Sequence, residues 1–209
     1  MTTTTTAALV IMLHGVGSNG ADLEPLGHFW QGALPGAVFV SPDAPHRFDQ
    51  APTGFQWFSI GSITAADRAA RIAAARADFD ALLDRIVTEQ GFRDRLDRVA
   101  LVGFSQGSMM LLDGVARGRW PVAAGVAFSG RLGTADPLTP AHLTPLLLIH
   151  GLADPVVPAE ESRLAAERLA AAGVDVEARF EPGLGHTISQ AGAMEAGRFL
   201  ADRLGFGSA

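Results

Sequence analysis

Short runs of apolar residues alternate along this chain with longer stretches in which apolar positions recur every three or four residues. The runs are Ala8–Leu13 (ALVIML), 37–41 (AVFVS), 98–103 (RVALVG), 122–128 (VAAGVAF), 145–150 (PLLLIH) and 174–180 (VDVEARF). Most are continuously apolar, as strands covered on both faces of a parallel sheet must be. The last run alternates and is expected nearer an edge. Between 65 and 90, Ile72, Phe79, Leu82, Leu83, Ile86 and Val87 fall on one helical face, and Gly91 is placed to end that helix. Further helices are expected over 106–117, 159–172 and 189–204, with Gly173 as the stop after the second of these. Strand–helix alternation means βαβ units, a parallel sheet and right-handed crossovers. The expected architecture is therefore α/β, with a mostly parallel central sheet of about six or seven strands flanked by helices. With no repeat and no linker-like stretch, residues 7–209 read as one domain behind a frayed tail, 1–6.

In open α/β sheets, sites form beyond the carboxyl ends of the strands. The third run is followed by Gly103-Phe104-Ser105-Gln106-Gly107, a G-x-S-x-G pentapeptide. Such a turn lifts a serine hydroxyl above the sheet. Its glycines stand where a side chain would strike the neighbouring strand and helix. A helix starting here also offers backbone N–H groups to developing negative charge. The pattern alone has moderate specificity, and a glycine-rich turn with an incidental serine is the bland alternative. The strand before it and the helix after it favour a nucleophile.

A serine hydroxyl needs a base, and the base needs an orienting carboxylate. Of the six histidines, His14 and His150 sit at strand ends beside glycine, where packing or backbone hydrogen bonding is the expected job. His28, His46 and His142 lie in other connections and read as surface or structural. His186 closes the glycine-rich loop after the last run and is the candidate base. The candidate carboxylate is Asp154, in the loop GLADPVVP after the fifth run, although an aspartate before proline is also a common turn residue. Asp136 and Asp175 fall less naturally after a strand end. The order Ser105, Asp154, His186 is the nucleophile–acid–histidine order of the α/β-hydrolase arrangement. Two backbone N–H donors are needed for the oxyanion. Gln106 follows the nucleophile, and Val16 lies in the glycine-flanked loop after the first run.

Composition narrows the classes further. The chain has no cysteine, which excludes disulfides, thiolate metal sites and a cysteine nucleophile. Its 22 acidic and 16 basic residues give a net charge of −6 without a basic stripe, which argues against nucleic-acid binding. The apolar segment 7–13 is too short to span a membrane and follows no basic leader. A cytoplasmic protein without stable membrane insertion is expected. A homodimer is left open.

With these residues in place, the chain resembles the phospholipase/carboxylesterase family of α/β-hydrolases, which includes acyl-protein thioesterases and small bacterial carboxylesterases. The matching stretches are LHGVG at 13–17, SPDAP at 41–45, WF at 57–58, GFSQG at 103–107, HGLADPVVP at 150–158 and GLGH at 183–186. The resemblance implies a Ser105–Asp154–His186 triad, an oxyanion hole from Val16 and Gln106, and no metal or organic cofactor. Three positions depart from the family pattern: Ser108 stands where a second glycine is usual, Ser59 follows the WF pair, and Arg131 follows Phe128-Ser129-Gly130. They bear on the acyl pocket and chain-length preference. The connection 131–144 is too short for a cap domain, so an open groove is expected, lined by Trp57, Phe58, Met109 and Leu184. Core packing is the competing job for each of the four. The expected activity is a broad carboxylesterase on small esters or other acyl compounds. Because a histidine base must be neutral, its rate should rise with pH near ~6.5, the reference value for histidine. Alternatives are a lysophospholipase or acyl-protein thioesterase and, from another class, a hydrolase-like binding protein without turnover.

Overall fold

The computed structural model describes residues 7–141 and 144–207. His142 and the 1–6 tail lie outside the described residues. Six strands form one wholly parallel sheet in the order β2-β1-β5-β6-β7-β8. They are β1 (Ala8–Leu13), β2 (Ala37–Val40), β5 (Val99–Phe104), β6 (Ala124–Phe128), β7 (Leu146–Gly151) and β8 (Val176–Glu181). All six expected runs become strands, with no end shifted by more than two residues. The alternating run is indeed an edge strand, and β2 forms the other edge; both are only partly buried. The four interior strands are buried at nearly every position, which is why they read as continuous apolar runs.

Side chains of successive strand residues point to opposite faces, so each interior strand feeds two cores. In β1, Leu9, Ile11 and Leu13 face one core with Phe79, Leu83 and Leu111. Ala8, Val10 and Met12 face the other, with Trp30, Phe199 and Leu200. Helices α2 (Ala65–Glu89), α3 (Gln106–Ala116) and α4 (Glu160–Ala171) cover the first face. Helices α1 (Glu24–Trp30) and α5 (Gln190–Arg203) cover the second. The hydroxyl of Thr64 accepts from Asp67 N–H while Asp67 accepts from Thr64, a reciprocal cap that starts α2. Gly91 and Gly173, both at positive φ, stand where α2 and α4 end, as the sequence pattern expects.

Two elements lack a clear sequence signal. Helix α1 has only seven residues, too few for a persuasive period. The antiparallel pair β3 (His46–Arg47) and β4 (Phe55–Gln56) is two residues long on each side. It nonetheless matters to the site, because Gly17 N–H donates to Phe55 O at 2.8 Å and Phe55 N–H to Ser18 O at 2.8 Å. These bonds dock the hairpin on the loop after β1. Among the described residues between β6 and β7 there is no helix or strand, so no cap domain is inserted there. No described helix is long and apolar enough to cross a membrane.

Candidate active site

The nucleophile candidate is placed by exclusion. Ser105 joins β5 to α3 with φ 54° and ψ −114°, a left-handed conformation that a residue with a side chain adopts only under strain. A Cβ on Gly103 would lie 2.5 Å from the Ser108 backbone, and one on Gly107 would lie 2.1 Å from Leu13 O. The first glycine therefore lets α3 return over its own strand, and the second lets it lie against β1. Ser105 N–H donates to Phe128 O at 2.9 Å, fixing the turn to β6. Ser108 adds a brace at its unusual position, its hydroxyl donating to Ser105 O at 2.6 Å.

The two partners arrive from β7 and β8. Ser105 Oγ lies 3.0 Å from His186 Nε2, and His186 Nδ1 lies 2.7 Å from Asp154 Oδ2. A carboxylate only accepts, so the Nδ1 proton belongs to the imidazole and Nε2 is left to accept from the serine hydroxyl. Asp154 is held in turn. Its Oδ1 accepts from the Val156 and Val157 N–H groups at 2.8 and 2.9 Å. Burial alone would raise this carboxyl, but the hydrogen bonds from His186, Val157 and Val156 hold it below the ordinary carboxylate range. The loops bearing Asp154 and His186 are tied together, with Ala153 N–H donating to Leu184 O at 2.9 Å. A Cβ on Gly151 would strike that same carbonyl at 2.2 Å.

His150 is a neighbour that the sequence pattern does not reveal. It is buried, and its Nε2 lies 2.8 Å from Val157 O and 3.2 Å from Asp154 Oδ2. Both neighbours are acceptors, so Nε2 carries a proton shared between them, with Val157 O the nearer. Backbone hydrogen bonding, the expected role, is present in the Val157 contact; the contact with Asp154 is additional. Its four-residue spacing from Asp154 is the signal that could have suggested it. His14 is a buried counterpart. Its Nε2 accepts from Ala44 N–H at 2.9 Å and its Nδ1 donates to Gly15 O at 2.6 Å. Burial keeps His14 below the usual histidine value, against the raising effect of the Gly15 carbonyl. His28 is exposed, and His46 pairs with Asp78 at 3.1 Å on the surface.

The candidate oxyanion donors stand at the same edge. Val16 N–H has no acceptor among the described residues. Gln106 begins α3, and the first N–H groups of a helix lack intrahelical partners. The Gln106 side chain is committed elsewhere, accepting from Trp57 N–H at 2.8 Å and donating to Phe58 O at 2.7 Å. Trp57 Nε1 donates to His14 O at 2.9 Å. Thus the WF pair is a knot that joins the loop after β1 to the start of α3.

That knot changes the picture of the groove. A cleft of about 450 Å³ lies above Ser105 and His186, walled by Gly15, Val16, Leu23, Val156 and Ile188. Its rim includes Val156, 62% exposed. None of Trp57, Phe58, Met109 or Leu184 lines it. Trp57, Phe58 and Met109 are buried in the core, where their apolar area is removed from water, and Leu184 contributes its backbone carbonyl to the loop tie. An aromatic pair beside a glycine-rich turn reads alike as wall or core; the Gln106 bonds decide for core. The other two departures also lie off the cleft wall. Ser59 O accepts from Arg71 at 2.8 Å, and the largely buried Arg131 pairs with Glu161 at 3.1 Å.

Comparison with known proteins agrees with this fold. The family model described as phospholipase/carboxylesterase matches residues 2–204. The chain is 33% identical over 180 residues to esterase YpfH of Escherichia coli (strain K12), covering 86% of this chain and 76% of that one. It is 27% identical over 233 residues to acyl-protein thioesterase 1 of Gibberella zeae, covering 94% and 91%. Among solved structures, esterase PE8 superposes with a TM-score of 0.82 at 36% identity, over 94% of this chain and 93% of that one. Arabidopsis thaliana SOBER1 superposes with a TM-score of 0.80 at 26% identity, over 94% and 99%. The chain belongs to the phospholipase/carboxylesterase family of α/β-hydrolases.

Proposed function

We propose that this protein is a serine carboxylesterase that hydrolyses esters of small molecules through an acyl-enzyme on Ser105. The observation that carries the reading is the unbroken hydrogen-bonded series from Ser105 Oγ through His186 to Asp154, opening into the cleft. In this mechanism His186 Nε2 takes the serine proton as Oγ bonds to the acyl carbon, and the carbonyl electron pair moves onto oxygen. Val16 and Gln106 N–H donate to that oxyanion. Asp154 holds the imidazole and stabilises the imidazolium. The bond to the leaving oxygen then breaks, and that oxygen takes the proton from Nε2. Water repeats the cycle: His186 Nε2 removes its proton as its oxygen adds to the acyl carbon, then the acyl–Oγ bond breaks, Ser105 Oγ takes that proton back from Nε2, and the acid is released. A thioester passes through the same steps with sulfur departing. Relatives named esterase, carboxylesterase and acyl-protein thioesterase support both substrate types. All three residues project from one six-stranded sheet, which supports reading 7–209 as one domain.

The test is hydrolysis of p-nitrophenyl esters from acetate to palmitate by wild type and Ser105→Ala. Turnover by wild type alone is expected, with the optimum chain length separating a small-ester enzyme from a lipid-directed one. Equal turnover by both proteins would remove Ser105 from the mechanism. Absence of turnover in both would return the binding-protein reading to the front.

A further inference from the structure

Helix α1 carries apolar residues beyond those that the core buries. Leu23, Gly27 and Trp30 are buried against the sheet. Gly27 is packed closely enough that a Cβ would meet Met12 and Phe39 side chains at 3.1 Å. Pro25 and Phe29 lie exposed outside that face, with Leu26, partly buried against the same core, between them, and Phe29 is 47% exposed. An amphipathic surface helix ordinarily turns polar residues to that side. Here Pro25, Leu26 and Phe29 face Ile188 and Ala193 at the start of α5 across a groove of about 450 Å³. Trp30 Nε1 donates to Ala193 O at 2.7 Å and holds the two helices together beneath it.

This groove adjoins the cleft over Ser105, with Asp22, Leu23 and Ile188 bordering both. Its direction follows from the chemistry. The leaving oxygen must come within hydrogen-bond reach of His186 Nε2, which returns its proton. The wall that continues from His186 is Thr187 and Ile188, and it leads into the groove. From Leu23, which caps the start of α1, to Phe29, six residues on, the groove runs about 9 Å. We infer that this groove binds an unbranched apolar chain on the leaving-group side of the substrate, which makes esters and thioesters of linear alkyl alcohols and thiols the preferred class. The inference rests on the esterase reading above and adds to it a second binding surface outside the triad.

The experiment compares two ester series, acetates of linear alcohols from methanol to octanol and methyl esters of linear acids of the same lengths. It uses wild type, Phe29→Ser, Ile188→Ser and, as a surface control, Leu164→Ser, which removes an equally exposed leucine from α4. In wild type, kcat/KM should rise about two- to fourfold per methylene in the alcohol series, the range for partly to fully buried CH₂ groups. That rise should flatten in Phe29→Ser and Ile188→Ser and persist in Leu164→Ser. A rise that survives both groove substitutions would overturn the inference. So would a flattening confined to the acid series, since the groove would then hold the acyl chain. Titration of 1-octanol by calorimetry reads the groove without turnover: binding at least tenfold weaker in Phe29→Ser is expected, and equal binding overturns it. If octanol binding weakens as expected while no ester is hydrolysed, the groove stands, and the esterase reading and its leaving-group assignment fall.

Discussion

Two loops converge on His186, and the dominant restraint differs between them, although Ser105 N–H and the Ser108 hydroxyl add hydrogen bonds to the first and Gly151 adds a close backbone approach to the second. The turn after β5 holds Ser105 by leaving no room: two glycines admit backbone at 2.1 and 2.5 Å from where a Cβ would stand, and the serine sits at φ 54°. The turn after β7 holds Asp154 by hydrogen bonds, from two backbone N–H groups, His186 and His150. Steric placement is all or none, because a clash with backbone cannot be shared out. Hydrogen-bonded placement is graded, because each donor can be removed separately. Substitutions in the first loop should therefore abolish function or folding, and substitutions around the second should attenuate it.

Ser105→Ala should cost the most, about 10⁴-fold or more in kcat/KM, since the nucleophile is lost while binding and oxyanion stabilisation remain. A loss under tenfold on p-nitrophenyl acetate would contradict the mechanism. Gly107→Ala should come next. Its methyl group would overlap Leu13 O and His14 O, which belong to β1 and the loop after it. Forced overpacking against backbone costs about 3 kcal/mol or more, measurable as a lower urea midpoint at unchanged slope. A midpoint within error of wild type would mean that α3 can shift, and the contrast between the two loops would fail with it.

The steric loop was also the legible one. Glycine at fixed spacing, a strand before and a helix after leave a mark in the sequence, and the order Ser105, Asp154, His186 follows from loops that leave the same sheet edge. The four interior strands were legible for a similar reason, since burial on both faces demands unbroken apolar runs. What the sequence hid depends on contacts between distant segments. Whether Trp57 lines a cleft or fills a core is decided by Gln106, 49 residues away. That α1 carries apolar residues outside its packed face is invisible until that face is known. His150 looked like a strand-end histidine because its partner is chosen by the fold of the loop that follows.

The hydrogen-bonded loop can be probed through that histidine. His150→Leu removes the N–H shared between Val157 O and Asp154 Oδ2 and keeps an apolar side chain in a buried site. A hydrogen bond to a charged group contributes about 1.5–3 kcal/mol, so kcat should fall roughly ten- to a hundredfold with KM nearly unchanged. His150→Gln keeps an N–H donor near the same position and should recover part of the loss. Equal impairment in both variants would show that the imidazole serves packing alone.

The smallest effect is on the pH dependence of stability, and its sign follows from the lowered Asp154 carboxyl. A group whose acidity is strengthened by folding stabilises the native state above its unfolded value, about 3.9 for aspartate, and loses that contribution as pH falls towards the folded value. Wild type should therefore exceed Asp154→Asn in urea midpoint at pH 6, and the gap should narrow as pH drops below about 4. The remaining carboxylates titrate in both proteins, so their acid destabilisation largely cancels in the difference. A gap that stays constant from pH 6 to the acid limit of folding would mean that the four donors orient the carboxylate without favouring its ionised form. The loop would then be a geometric device like the serine turn, and the distinction between the two would reduce to the choice of atoms.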